Sequence, residues 1–241
     1  MDAEAGDAIA QYNLGLCYLK GTGVAINKRE AIKWLTLAAE AGYVNAEYIL
    51  GLCYFNGDGV AVDKHEAFKW YKLAAEAGNV NAQCSLGFCY RDGDGVAVDK
   101  HEAFKWFKLA AEAGNVNAQS NLGFCYNNGN GVAGDKHEAF KWYKRSAEAG
   151  EVDALYNLGM CYRNGDGVEV DRVESFRWFK LAAEAGDENA QHNVGICYEK
   201  GDGIQANEHE ALKWYKSGAD AGSLPARTSL LRLSTKLLAS R

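Results

Sequence analysis

Proline, net positive charge and long apolar stretches are all scarce in this chain. Its 241 residues include one proline, Pro225, against 27 glycines. So little proline, with glycines at regular spacing, favours many short helices closed by glycine turns. The net charge is −6. An acidic chain is a poor candidate for sequence-independent nucleic-acid binding, which needs a basic face to displace counterions. It is an equally poor candidate for a polybasic membrane surface. No run approaches the roughly 18 apolar residues of a membrane span. The N-terminus, MDAEAGDAIA, has neither the basic start nor the apolar stretch of a signal peptide. Apolar residues nevertheless make up 48%, enough for a real core, and length alone allows one or two domains.

What the chain does have is a repeat. Tryptophans stand at 34, 70, 106, 142, 178 and 214, each 36 residues after the last. Cysteines at 17, 53, 89, 125, 161 and 197 keep the same step, as do glycines at 15, 51, 87, 123, 159 and 195. The repeats frame as 7–42, 43–78, 79–114, 115–150, 151–186 and 187–222, with no insertion or deletion. Periods of this length signal stacked supersecondary units.

Each repeat reads as two helices. In the third, NVNAQCSLGFCYRD places Ala82, Leu86, Cys89 and Tyr90 at i, i+4, i+7 and i+8, one helical face. HEAFKWFKLAAEAG places Ala103, Trp106, Ala110 and Ala113 on another, with Phe104 and Phe107 alongside. Gly114 suits a left-handed helix stop. Gly93 and Gly95 suit turn positions of positive φ. Asp99 suits an N-cap, with Glu102 three residues on. Gly87 and Ala82 allow close helix approach, and Trp106 is the expected core side chain between the helices.

These residues resemble the Sel-1-like repeat family, which is related to the tetratricopeptide repeat. The resemblance is carried by Ala82, Leu86, Gly87 and Tyr90 of the first helix, by Gly93, Gly95 and Val96 of the loop, and by Glu102 through Gly114 of the second helix. It recurs six times across 7–222. It implies an all-α fold, a right-handed α-solenoid superhelix of six 36-residue helix-turn-helix repeats, working as an adaptor or scaffold in protein complexes. Residues 1–6 carry AEAG, the tail of a repeat, and are expected to form a partial N-terminal cap. Residues 223–241 keep Ala226 and Leu230 at first-helix positions but have Leu231 for the glycine and Ser234 for the tyrosine. They are expected to cap the array, as solenoid ends require.

No complete catalytic or metal motif emerges. Counted from Asp92 as an EF-hand loop, Val96, Ala97 and Ala103 fall where an oxygen ligand, glycine and glutamate belong. The loop glycines are not followed by the Lys-Ser/Thr of a phosphate loop. His65-Glu66, His101-Glu102, His137-Glu138 and His209-Glu210 lack the second histidine of a zinc peptidase, with Lys69, Lys105, Lys141 and Lys213 in its place. Ser85, Ser120 and Ser229 have no lysine three residues on. No cofactor is expected. Seven cysteines, an odd count with six of them spaced a repeat apart and Cys84 five residues before Cys89 on one helix, point to free thiols and a reducing, cytoplasmic compartment. A cysteine-rich branch of the family is secreted, pairs cysteines within each repeat and is linked to weak β-lactam hydrolysis. This chain lacks the second cysteine, and hydrolysis of β-lactams or cell-wall peptides stands as the alternative function.

Comparing the repeats with one another points to a binding face. Three columns of the first helix vary while the scaffold does not. They read Tyr12, Tyr48, Cys84, Ser120, Tyr156, His192; then Leu16, Leu52, Phe88, Phe124, Met160, Ile196; then Leu19, Phe55, Arg91, Asn127, Arg163, Glu199. Offsets of four and three put them on one stripe. By resemblance to tetratricopeptide arrays, the first helices line a concave groove. Tyr12, Tyr48, Phe55, Phe88, Arg91, Phe124, Asn127, Tyr156 and Arg163 are the candidate partner-binding residues, since aromatic and arginine side chains dominate interface hot spots. The expected partner is a protein or peptide, not nucleic acid or membrane, and the chain itself is expected to be a monomer. Asn45, Asn81, Asn117, Asp153 and Asn189 either cap their own helices or meet a peptide backbone. Repeats two to four are nearly identical over stretches such as AAEAGNVNAQ at 74–83 and 110–119, as recent duplication or design would leave them.

Overall fold

The computed structural model describes residues 3–239, and every regular element among them is a helix. Residues 1–2 and 240–241 of the two expected caps lie outside the described residues. The order is α1 (Ala8–Lys20), α2 (Lys28–Glu40), α3 (Val44–Asn56), α4 (Lys64–Glu76), α5 (Val80–Asp92), α6 (Lys100–Glu112), α7 (Val116–Asn128), α8 (Lys136–Glu148), α9 (Val152–Asn164), α10 (Arg172–Glu184), α11 (Glu188–Lys200), α12 (Glu208–Asp220) and α13 (Leu224–Ala239). Odd-numbered helices are the first helices of the repeats and even-numbered ones the second.

The chain forms two compact units, one of residues up to Ala118 plus Asn130–Val132, the other of Gln119–Gly129 plus Ala133 onward. In the first unit each helix packs on the next in sequence, from α1 through α6. In the second the same serial packing runs from α8 through α13. Each unit is thus a solenoid in which helix pairs stack serially on their neighbours.

Local chemistry sets the helix ends. Asp99 accepts the backbone N–H groups of His101 and Glu102 and starts α6. That helix closes with Gly114 N–H on the Ala111 carbonyl and Asn115 N–H on the Ala110 carbonyl, Gly114 having φ 94°. This is a Schellman stop. The Gly93 turn closes α5 onto the Cys89 carbonyl.

Two expectations need correction. The tryptophans are not the core. Trp106 is half-buried, while Phe107, one residue on, is fully buried with Ala103, Ala110 and Ala111; Ala113, placed on the inner face from sequence, is exposed. Leu35, Tyr71, Tyr143, Phe179 and Tyr215 repeat the burial of Phe107. Trp106 lies one helical step, about 100°, around, and packs on Ala74, Ala75, Ala82 and Leu86. Those residues belong to the preceding second helix and the first helix after it, so the tryptophan fastens neighbouring repeats. The asparagines at 45 and 81 are not caps either. Asn79 and Asn115, just outside the helices, accept the Ala82 and Ala118 amides. The same caps donate to Asn45 Oδ1 and Asn81 Oδ1 one repeat earlier, each at 3.2 Å.

A second fastening lies at the loops. Lys64 pairs with Asp94 at 2.6 Å and Lys28 with Asp58. Arg172 reaches Asp202 in the second unit. His65 donates Nδ1–H to the Gly95 carbonyl at 2.8 Å, and His137 does the same to Gly167 at 3.0 Å. His65 and His137 therefore hold one repeat to the next.

Candidate binding face

The first helices present their variable columns beside the aromatic rings of the second helices. In the first unit, α3 and α5 stand side by side over α4. Leu52 and Phe55 of α3, Ser85, Phe88 and Asp92 of α5, Tyr71 of α4 and Asp94 of the following loop line an open cavity of about 320 Å³. Its walls are the phenylalanines and its floor the buried Tyr71 ring, 6.4 Å from the Phe55 ring.

The rim carries charge in closed pairs. The Arg91 guanidinium lies 4.7 Å from the Phe88 centroid and donates from Nε and Nη2 to the Asp92 carboxylate, both at 2.8 Å. That hydrogen bond from Arg91 holds the Asp92 carboxyl below the usual carboxylate range. Lys64 lies 5.4 Å from the Phe55 ring while paired with Asp94. The result is an apolar recess framed by two ion pairs. It suits an apolar side chain whose backbone meets polar groups at the edge.

Among the candidates, Phe55, Phe88 and Arg91 thus meet at one place. Tyr48 stands behind it, half-buried, its ring 6.1 Å from Tyr71 and its hydroxyl pKa pushed up by burial. Tyr12 stacks on Tyr43 at 5.0 Å and does not reach the recess. In the second unit, Phe124 is exposed, and Asn127 Oδ1 accepts from Lys136 Nζ at 2.7 Å. Tyr156 packs on Phe179 at 5.7 Å. Arg163 lies over Phe179 and is held by Asn193 Oδ1 at 2.7 Å and Met160 Sδ at 2.8 Å, a half-buried strut. His192 meets Ser229 Oγ at 3.1 Å, and burial lowers its pKa, with Arg163 adding to the effect.

Sequence reasoning missed the floor. Tyr71 and Phe107 come from second helices, and Phe107 supports Phe88 edge-on at 5.2 Å. The signal was present: the residue after every tryptophan is aromatic or leucine. It missed Asp92 and Asp94 as well.

Among the described residues, no group of three or more His, Cys, Asp or Glu side chains is arranged to hold a metal. No helix among them is long and apolar enough to cross a membrane. The seven cysteines stand as thiols.

Comparison with known proteins fits this architecture. A family model described as the Sel1 repeat matches residues 8–43, 44–79, 80–115, 116–151, 152–187 and 189–223. No curated protein matches the chain. A solved protein of uropathogenic Escherichia coli, c5321, described as a protective antigen with an SLR fold, is 39% identical with a TM-score of 0.92. The match covers 99% of this chain and 51% of that one, so the chain spans about half the length of that relative. A Sel1 repeat protein of Oxalobacter formigenes is 33% identical over 88% of this chain and 85% of its own, with a TM-score of 0.80. A putative Sel1 repeat protein of Klebsiella pneumoniae is 25% identical over 81% and 95%, with a TM-score of 0.51. With six family matches in tandem and two relatives above 30% identity, the chain belongs to the Sel1 repeat family.

Proposed function

We propose that this chain is a protein-interaction scaffold that receives a segment of a partner protein against its first helices. One apolar side chain of that segment seats between Phe55 and Phe88. The carrying observation is the recess itself: two aromatic walls, an aromatic floor and ion-paired edges on the stripe that varies while the scaffold repeats. Burying one Leu-sized side chain there is worth about 1.5–3 kcal/mol. Arg91, packed on the Phe88 ring, borders the recess on that side. Phe124 and Asn127 offer a further contact surface of the same column type, and Tyr12, Tyr48, Tyr156 and Arg163 act mainly as supports. In this reading the chain works by binding and not by catalysis. Its buried thiols suit a reducing compartment such as the cytoplasm.

The test is affinity capture with chemical cross-linking, comparing the wild type with a Phe55→Ala/Arg91→Glu variant. Both positions lie outside the fully buried core, so helicity and melting temperature should hold. Specific partners cross-linked near α3 and α5 should be lost in the variant. Retention of every partner by a folded variant places binding elsewhere.

A further inference from the structure

The last described helix, α13, carries an apolar stripe on the side away from the array. Leu224, Leu231 and Leu238 are 68%, 65% and 72% exposed. Their spacing of seven lays them along one face of a helix about 24 Å long. The opposite face is anchored by Ala226 and Leu233, both fully buried.

Two features make the stripe more apolar and less charged than its composition suggests. Thr228 and Thr235, which flank the leucines, donate their hydroxyls back to the Leu224 and Leu231 carbonyls at 3.1 and 2.9 Å. Hydroxyls committed to their own helix leave the threonine methyl groups to face outward. Of the three cations on α13, two are already neutralised. Arg232 forms a two-pronged pair with Glu199, and Lys236 pairs with Glu208.

A further regular repeat does not fit here. Leu231 occupies the position that glycine holds in all six first helices. In those helices the following second helix sets a large side chain on the glycine, as Tyr215 does on Gly195. Leu231 fills that space, so a helix packed on this face is held off by interleaved leucines, about 8–10 Å between axes.

Leu224 and Leu238 are evenly spaced on either side of Leu231. We propose that it is a self-association surface, and that α13 pairs antiparallel with α13 of a second copy across a two-fold axis at Leu231. Leu231 then meets its own copy, and Leu224 meets Leu238 of the other chain. Thr228 lies beside Thr235, and Arg227 lies beside Ser234 and away from its own like charge. Such a contact is isologous and closes on itself. One helix pair is a small interface, so the association is concentration-dependent.

Sedimentation equilibrium over a concentration series tests the state, and cysteine cross-linking tests the geometry. Wild type should pass from monomer to dimer, and Leu231→Glu should weaken the dimer by at least about ten-fold while melting like the wild type, because the site is exposed. Under mild oxidation Leu231→Cys should cross-link to itself. Leu224→Cys and Leu238→Cys should not do so alone but should cross-link when mixed. Wild type, with six of its seven cysteines buried, sets the background. A chain that stays monomeric throughout, as expected from sequence, overturns the proposal, as does cross-linking of all three single variants, which would mean a parallel pair.

Discussion

Gly87 lies directly beneath the ring of Phe107, so that a Cβ added to the glycine would stand 2.6 Å from two ring carbons. The same contact joins Gly51 to Tyr71, Gly123 to Tyr143 and Gly159 to Phe179. A glycine on the first helix and a flat ring on the second draw the two helices of a repeat together. That ring, with Leu35 in its place in the first repeat, is the centre of the repeat, and not the tryptophan beside it. Phe107→Ala should cost about 3–5 kcal/mol, the range for emptying a large aromatic site. Trp106→Ala should cost about 1–3 kcal/mol, because the indole is only partly buried and serves one inter-repeat contact. Urea unfolding of both variants, read by circular dichroism, makes the comparison. A larger loss for Trp106→Ala would return the core to the tryptophan column.

Gly95 has a different role. Its φ is 75°, and a Cβ there would run into the Lys64 carbonyl of the preceding repeat. Gly114 has φ 94° with nothing near its missing Cβ. Alanine at either position carries left-handed strain of about 1 kcal/mol. Only Gly95→Ala also forces apart a junction held by the Lys64–Asp94 pair and the His65 hydrogen bond. It should therefore destabilise by about 1–3 kcal/mol more than Gly114→Ala. Hydrogen exchange should show the added loss concentrated in α4 and α5. Equal costs for the two variants would mean the loop contact carries no stability.

The repeat was legible because a 36-residue step in Trp, Cys and Gly survives any choice of window. Burial was less legible. A side chain constant in every repeat has a constant environment, which need not be the interior: Trp106 and Phe107 are equally regular, and only one is enclosed. The capping asparagines show the same limit. Asn79 and Asn81 are two residues apart in one short polar stretch, and only backbone geometry assigns the cap to the first. On the binding face, variation exposed the columns but not their partners. Arg91 and Arg163 occupy equivalent positions, and the sequence alone shows neither the Phe88 ring and Asp92 carboxylate against the first nor Asn193, a residue of the next repeat, against the second.

Glu47 breaks a pattern that Gln11, Gln83 and Gln191 keep. Gln11, Gln83 and Gln191 donate their side-chain amides to the Ala3, Ala75 and Ala183 carbonyls. The corresponding carbonyl for Glu47 is that of Ala39, and an ionised carboxylate has no proton to give it. Its Oε2 is buried without a partner, and burial raises its pKa. With the folded pKa above the unfolded one, the stabilisation is full below the ordinary glutamate range and is lost as pH rises through the folded value. Glu47→Gln should therefore stabilise the protein at neutral pH by about 0.5–1.5 kcal/mol, one restored hydrogen bond. The gain should shrink as pH falls toward 4. Thermal melts of both proteins across that range check it, and a variant no more stable than wild type at neutral pH removes the glutamine contact as a fastener.

The cysteine column gives a readout of solenoid integrity. Cys53, Cys84, Cys89, Cys125, Cys161 and Cys197 are buried, while Cys17 is partly exposed. Burial pushes the Cys53 and Cys197 thiols up to about 11 and the Cys84, Cys89 and Cys161 thiols up to about 12. For Cys53, Cys89, Cys161 and Cys197 a neighbouring aspartate adds to the rise. The thiolate is the reacting species, so these groups are shielded twice, by packing and by protonation. A thiol reagent at neutral pH should label about one cysteine per native chain quickly, by the order of reactivity that exposure sets. The remainder should follow only at the rate of local opening. Because each repeat carries one thiol of the column, mass spectrometry of labelled peptides should rank the repeats by opening rate. Gly95→Ala should speed labelling of Cys89 ahead of Cys161. Rapid labelling of all seven thiols in the folded wild type would show that the column is not enclosed.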